Sequence, residues 1–170
     1  MSIAAMILLG VAAFAPLALS VGPIPRWIAP LVAVLALGAA AITAAAAGKV
    51  TGFGLGATAA LAVAAAALGG IPLAPAAFRI ARRQSDAGED APEPGPLHGG
   101  RIIGVLERGA VAAAIIAGWP EGMAIVLAVK GLARYPELRN PHASEQFIIG
   151  TFASVLWTIA VGGIGRGLFT

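Results

Sequence analysis

The sequence contains no cysteine, so disulfides, thiolate metal sites and cysteine nucleophiles are excluded from any account of its function. Charge is scarce as well: 11% of residues are Asp, Glu, Lys or Arg, against roughly 25% in soluble domains. Neither histidine, His98 or His142, belongs to an HExxH pattern; no GxSxG occurs, and no pair of carboxylates lies in apolar surroundings. These absences leave no recognisable catalytic constellation, metal-ligand set or cofactor motif. A basic face interleaved with stacking aromatics is missing too, which gives no ground for nucleic acid as a partner. Gly52, Gly54 and Gly56 follow a turn without the spacing or strand context of a nucleotide loop. Nor do apolar and polar residues alternate as they do in membrane barrel strands.

What the chain has instead is apolar residues, 59% of the total, gathered into long runs. Several approach the ~20 residues that a helix needs to cross a ~30 Å hydrocarbon core. The sequence therefore reads as all-α, a polytopic transmembrane helical bundle of about six helices in two three-helix halves. Its first run goes from Ser2 to about Val21 and is closed by Gly22, Pro23 and Pro25. Ala18-Leu19-Ser20 has the form of a signal-peptidase site, yet the start carries no Lys or Arg, so the run reads as a retained helix. A second run extends from Trp27 to Ala47, and a third follows the Gly48–Gly52 turn and ends near Gly70. Ile71 to Ala81 carries Pro72 and Pro75, then Arg79, with Arg82 and Arg83 just beyond. That stretch reads as a short interfacial segment in preference to a broken extension of helix 3.

Residues 84–100 are acidic, rich in Pro and Gly, and too poor in large apolar side chains to build a core. They predict a solvated linker between an N-terminal half, 1–83, and a C-terminal half, 101–170. A fourth helix is expected from Arg101 to Gly118, and Trp119-Pro120-Glu121-Gly122 has the residue order of a type I turn. The fifth helix then runs from about Glu121 to Tyr135, and the sixth from an Asn140-Pro141 cap to about Gly163.

Alternate loops differ in charge. One set holds Arg26, Arg79, Arg82, Arg83, Arg101, Arg134 and Arg139, and the other only Lys49 and Arg166. The positive-inside rule makes the first set cytoplasmic, with both termini outside and the 84–100 linker inside.

Ionisable groups at membrane depth cost several kcal/mol unless paired or hydrated. Glu107, Arg108 and Lys130 qualify. Folding the fourth and fifth helices about Trp119 and Pro120 brings Lys130 and Arg134 opposite Glu107, with Arg108 directed to Glu137 or Glu145. Two readings stay open for this cluster: structural ion pairing at the cytoplasmic edge, or a site for a proton, an ion or an anionic headgroup. On the sixth helix, Gly150, Ser154, Thr158 and Gly162 recur every four residues and make a face for close helix packing, internal in preference to intermolecular. Thr151 is expected to donate a hydrogen bond beside this face, and Trp157 to contact lipid or a partner.

The C-terminal half also carries a pattern: Leu106-Glu107-Arg108, Ala117-Gly118, Ala128-Val129-Lys130-Gly131 with Arg134-Tyr135 and Glu137-Leu138, then Glu145 through Ile149-Gly150-Thr151 to Ser154. In these residues, about a third of the chain, it resembles uncharacterised bacterial polytopic membrane proteins of the domain-of-unknown-function 3307 type. Gly131 stands where that pattern has serine, and Gln146 where it has an aromatic residue. The resemblance implies a bacterial membrane protein and supplies no activity.

The function expected is a non-enzymatic, multi-pass protein of the bacterial plasma membrane, acting as an accessory or scaffold component. Alternatives are a small transporter or channel for a proton, ion or small anion, and an anionic-lipid-binding protein. The partners expected are the lipid bilayer, a membrane-protein partner or a second copy of the chain, and anionic headgroups, with no cofactor and no metal.

Overall fold

A chain this apolar satisfies its backbone hydrogen bonds most economically within helices, which keep donors and acceptors inside one segment. The structure, a computed structural model, describes residues 2–21, 23–84, 100–139, 141–168 and 170, and among these it contains no strand. In order come α1 (Ser2–Val21), α2 (Ile28–Ala45), α3 (Phe53–Gly69), α4 (Leu73–Gln84), α5 (Gly100–Ala117), α6 (Pro120–Ala133), a short 3-10 turn (Glu137–Arg139) and α7 (Pro141–Gly167). The expected linker and the Asn140 cap fall almost wholly outside the described residues.

Local chemistry explains the boundaries. Gly52 precedes α3 at φ 64° and Gly118 follows α5 at φ 71°, both in the left-handed region that glycine enters without a Cβ penalty. After α5, the Trp119 N–H bonds the Ala114 carbonyl at 2.8 Å and the Gly118 N–H bonds that of Ile115 at 3.0 Å. This pair of bonds is a Schellman termination. The chain therefore reverses at Gly118, one step before the expected type I turn, and Pro120 opens α6 at its first turn, where a missing N–H costs nothing.

The central helix is α3, packed on α1, α5 and α7; α2 lies outside α1, and α6 rests mainly on α5. The core is largely alanine: Ala12, Ala13, Ala33, Ala65, Ala66 and Ala112 belong to one buried cluster with Leu9, Trp157, Val161 and Leu168. Small side chains let helix backbones approach closely. Large apolar side chains point the other way, as Ile3, Ile7 and Phe14 on α1, Val34, Leu35 and Ile42 on α2, and Phe152 and Leu156 on α7 are exposed. Small inside and large outside suits a lipid environment and reverses the order found in water-soluble cores.

Among the described residues, four stretches are long and apolar enough to cross a membrane: Ile3–Ser20, Ile28–Ala45, Phe53–Ala81 and Ala143–Gly167. Length and composition thus mark four of the six expected helices as spans. The 18 residues of α5 include Arg101, Glu107 and Arg108, and α6 has only 14 residues, or about 21 Å at 1.5 Å per residue. The stretch 71–81, expected as an interfacial segment, is mostly α4: a turn at residues 70–72 separates it from α3, and it packs along α7.

The ends of the bundle differ. The Val50 N–H bonds the Leu168 carbonyl at 2.7 Å, and Arg166 donates to the Ile115 carbonyl at 2.9 Å, which places the α2–α3 turn, the α5–α6 turn and the end of α7 together. At the opposite end Arg79 donates to the Arg26 carbonyl at 3.0 Å, joining α4 to the α1–α2 turn.

Candidate functional site

Glu107 and Arg108 are adjacent on α5, so a rotation of about 100° sends them to different neighbours. Glu107 turns to α6 and forms an ion pair with Lys130 in which each side chain is 20% exposed. The pair closes the α5–α6 hairpin. Arg134 lies one turn beyond Lys130, just past the end of α6, where its N–H bonds the Lys130 carbonyl at 3.3 Å. Glu137 opens the 3-10 turn, and Glu145 is exposed near the start of α7.

Arg108 points into the bundle and is 7% exposed. It does not reach Glu145, and no ion pair to it occurs among the described residues. Its Nε donates to the Ala67 carbonyl at 2.9 Å and its Nη1 to Ser154 Oγ at 3.4 Å. The reason is the end of α3. The last carbonyls of a helix lack intrahelical donors, and that end carries partial negative charge. Arg108 therefore supplies both a donor and a cation where α3 needs them, and the carbonyl end of α3 offsets part of the cost of burying a guanidinium. Charge-assisted hydrogen bonds of this kind contribute about 1.5–3 kcal/mol.

Two glycines make room for it. A Cβ at Gly70 would stand 2.7 Å from Arg108 Cδ, and one at Gly104 would stand 3.2 Å from its Nη1. Trp157 completes the cap: its indole Nε1 donates to the Ala65 and Ala66 carbonyls, each at 3.2 Å. Expected at a lipid or partner surface, Trp157 is in fact 5% exposed, because these carbonyls give its one polar atom a buried partner. Thr151, expected to donate a hydrogen bond, has a buried Oγ1 with no partner among the described residues.

The small-residue face of α7 lies inside the molecule. Gly150 receives the ring of Phe78 from α4, Ser154 meets Arg108, Thr158 is buried and bonds the Ser154 carbonyl at 2.8 Å, and Gly162 sits against Ile115 of α5. Between this face and the ion pair, Glu107, Arg108, Lys130, Ser154 and Thr158 line a cavity of only about 10 Å³. That is at or below the ~10–15 Å³ one water requires.

The charged residues thus separate into a hairpin clasp, Glu107 with Lys130, and a helix cap, Arg108 with Trp157. Among the described residues no group of three or more His, Asp or Glu could hold a metal ion. Compared with known proteins, the chain matches no family model, no curated protein and no solved structure.

Proposed function

We propose that this chain is a non-enzymatic polytopic membrane protein that acts as an accessory or scaffold component, with its charged cluster serving to assemble the helices. The observation that carries the proposal is the closed packing around Glu107 and Lys130. A cavity of about 10 Å³ beside the pair offers a permeating ion or solute no room, and that favours structural pairing over transport. The exposed Ile125, Val129 and Leu132 of α6, a helix resting mainly on α5, supply an apolar face on which a membrane partner would dock.

In this reading α5 and α6 cross as a hairpin, the short α6 being accommodated by local thinning of the bilayer, and the chain makes six crossings. Arg26, Arg79 and Arg101 then lie on the cytoplasmic side with the linker, and both termini lie outside. Kinship with the domain-of-unknown-function 3307 proteins belongs to the same proposal and rests on the Leu106-Glu107-Arg108 and Glu145–Ser154 patterns.

Two measurements test it. Co-purification in mild detergent is expected to yield a stoichiometric partner; a lone monomer or a homo-oligomer overturns the accessory role. In liposomes, wild-type protein is expected to carry no ion or proton flux. A flux that Glu107→Gln abolishes without loss of folded protein overturns the structural assignment of the pair.

A further inference from the structure

The arginine-bearing end of the bundle contains a second feature, distinct from the clasp. An open cleft of about 1000 Å³ lies between the α1–α2 turn, α4 and the start of α5. Arg26, Arg79, Arg101 and Arg108 line it, and among the described residues no Asp or Glu does. Four guanidinium groups brought from three segments of the chain repel one another, and at the partly buried end of the group that repulsion is poorly screened.

The internal bonds of these arginines do not cancel their charge. Arg79 donates to the Arg26 and Pro75 carbonyls, and Arg108 to the Ala67 carbonyl and Ser154 Oγ, all of them neutral acceptors. Glu107, the carboxylate next to Arg108 in the chain, lies about 100° around α5 and is paired with Lys130. Among the described residues Arg101 makes no hydrogen bond or ion pair. Among the described residues the cleft therefore holds unspent guanidinium donors and net positive charge. Ile24 and Phe78 add apolar wall to the same cleft.

A guanidinium fork matches two oxygens of a phosphate, and several forks around one space match a phosphate better than a single carboxylate. We propose that this cleft binds a phosphate group, with Arg79 and Arg101 as its exposed ligands, Arg108 as the buried one and the apolar wall receiving whatever the phosphate is attached to. Its source is an anionic phospholipid headgroup or a free phosphate. The lipid source rests on the membrane reading above, whereas the phosphate chemistry rests on the cleft alone.

The test uses the full chain in a neutral detergent, titrated with dioctanoyl phosphatidylglycerol, with dioctanoylglycerol, which lacks the phosphate, and with inorganic phosphate. The phospholipid is expected to saturate at one per chain and to bind at least roughly tenfold more tightly than the diglyceride, the value of one charge-assisted contact. Arg79→Gln and Arg101→Gln should each remove about that factor, while Arg139→Gln, outside the cleft, should not. Displacement of the lipid by inorganic phosphate identifies free phosphate as the source, and resistance to displacement identifies the headgroup; both support the site. Equal affinity for the phospholipid and the diglyceride overturns it. So does wild-type affinity in Arg101→Gln, which removes a side chain that has no bond to the described residues. Neither result would touch the assignment of Glu107 and Lys130.

Discussion

Replacing Gly69 by alanine would drive a methyl group into the backbone of α1. The added Cβ would collide with the Ala12 carbonyl oxygen, stand 3.2 Å from the Ala12 carbonyl carbon and lie 2.7 Å from Trp157 Cζ2. A side chain could swing aside, but a carbonyl moves only with its helix. Pro16 accounts for part of this geometry. Having no N–H, it leaves the Ala12 carbonyl without its usual partner four residues on, and that carbonyl is turned toward Gly69. Overpacking of this kind costs about 1–3 kcal/mol. Pushing Trp157 away from the Ala65 and Ala66 carbonyls adds about 0.5–1.5 kcal/mol, and the better helix propensity of alanine returns up to about 1 kcal/mol. With the full return the expected net loss is about 0.5–3.5 kcal/mol, or roughly twofold to several hundredfold in the folding equilibrium. Gly38→Ala in α2 is the matched control: nothing lies within 4 Å of its new Cβ, so it should be neutral or stabilising by up to about 1 kcal/mol. Unfolding in mixed micelles, followed by tryptophan fluorescence, measures both. Equal stability of Gly69→Ala and wild type, alongside a well-behaved Gly38→Ala, would refute the close approach of α1 and α3.

Three further outcomes follow from the polar ties. Glu107→Gln leaves the Lys130 ammonium without its carboxylate at a site 20% exposed, and should cost about 1–3 kcal/mol, less than a fully buried pair because the ammonium is only partly enclosed. Adding Lys130→Met should restore most of that loss in the same unfolding assay. Trp157→Phe keeps the aromatic volume but removes the donor to the Ala65 and Ala66 carbonyls, for an expected loss of about 1 kcal/mol that Gly69→Ala partly masks in a double-mutant cycle. Arg166→Ala removes the bond to the Ile115 carbonyl and should speed amide hydrogen exchange at Gly118 and Trp119 more than at the middle of α5.

Much of the helical framework was legible because its punctuation is local. Val21 followed by Gly22 and Pro23 ends α1, and the Gly118–Pro120 reversal is carried by residue types whose backbone preferences are strong. The Glu107–Lys130 contact was legible for the same reason, since a hairpin about a known turn sets which positions face each other. Arg108 and Trp157 were misplaced because their partners are the carbonyls of Ala65, Ala66 and Ala67. A carbonyl belongs to every residue and leaves no mark in a sequence. One signal was present: an arginine and a tryptophan in apolar helices, with Gly69 and Gly70 at the end of a third, are the parts of a side-chain cap. The Arg26, Arg79 and Arg101 cleft was hidden differently, its members lying in three segments with no common spacing.

The cap on α3 has a consequence for how the chain is joined. Ala65, Ala66 and Ala67 belong to the segment before residues 85–99, and Arg108 and Trp157 to the segment after it. The contacts of α3 with α5 and α7, and of α4 with α7, span the same divide. Recognition between the two segments is thus written into donors, acceptors and fitted glycines, and covalent continuity is not what specifies it. Two polypeptides, one ending after Gln84 and the other beginning at Gly100, should find each other in the same bilayer and co-purify, and Arg108→Met should weaken their reunion more than it weakens the intact chain.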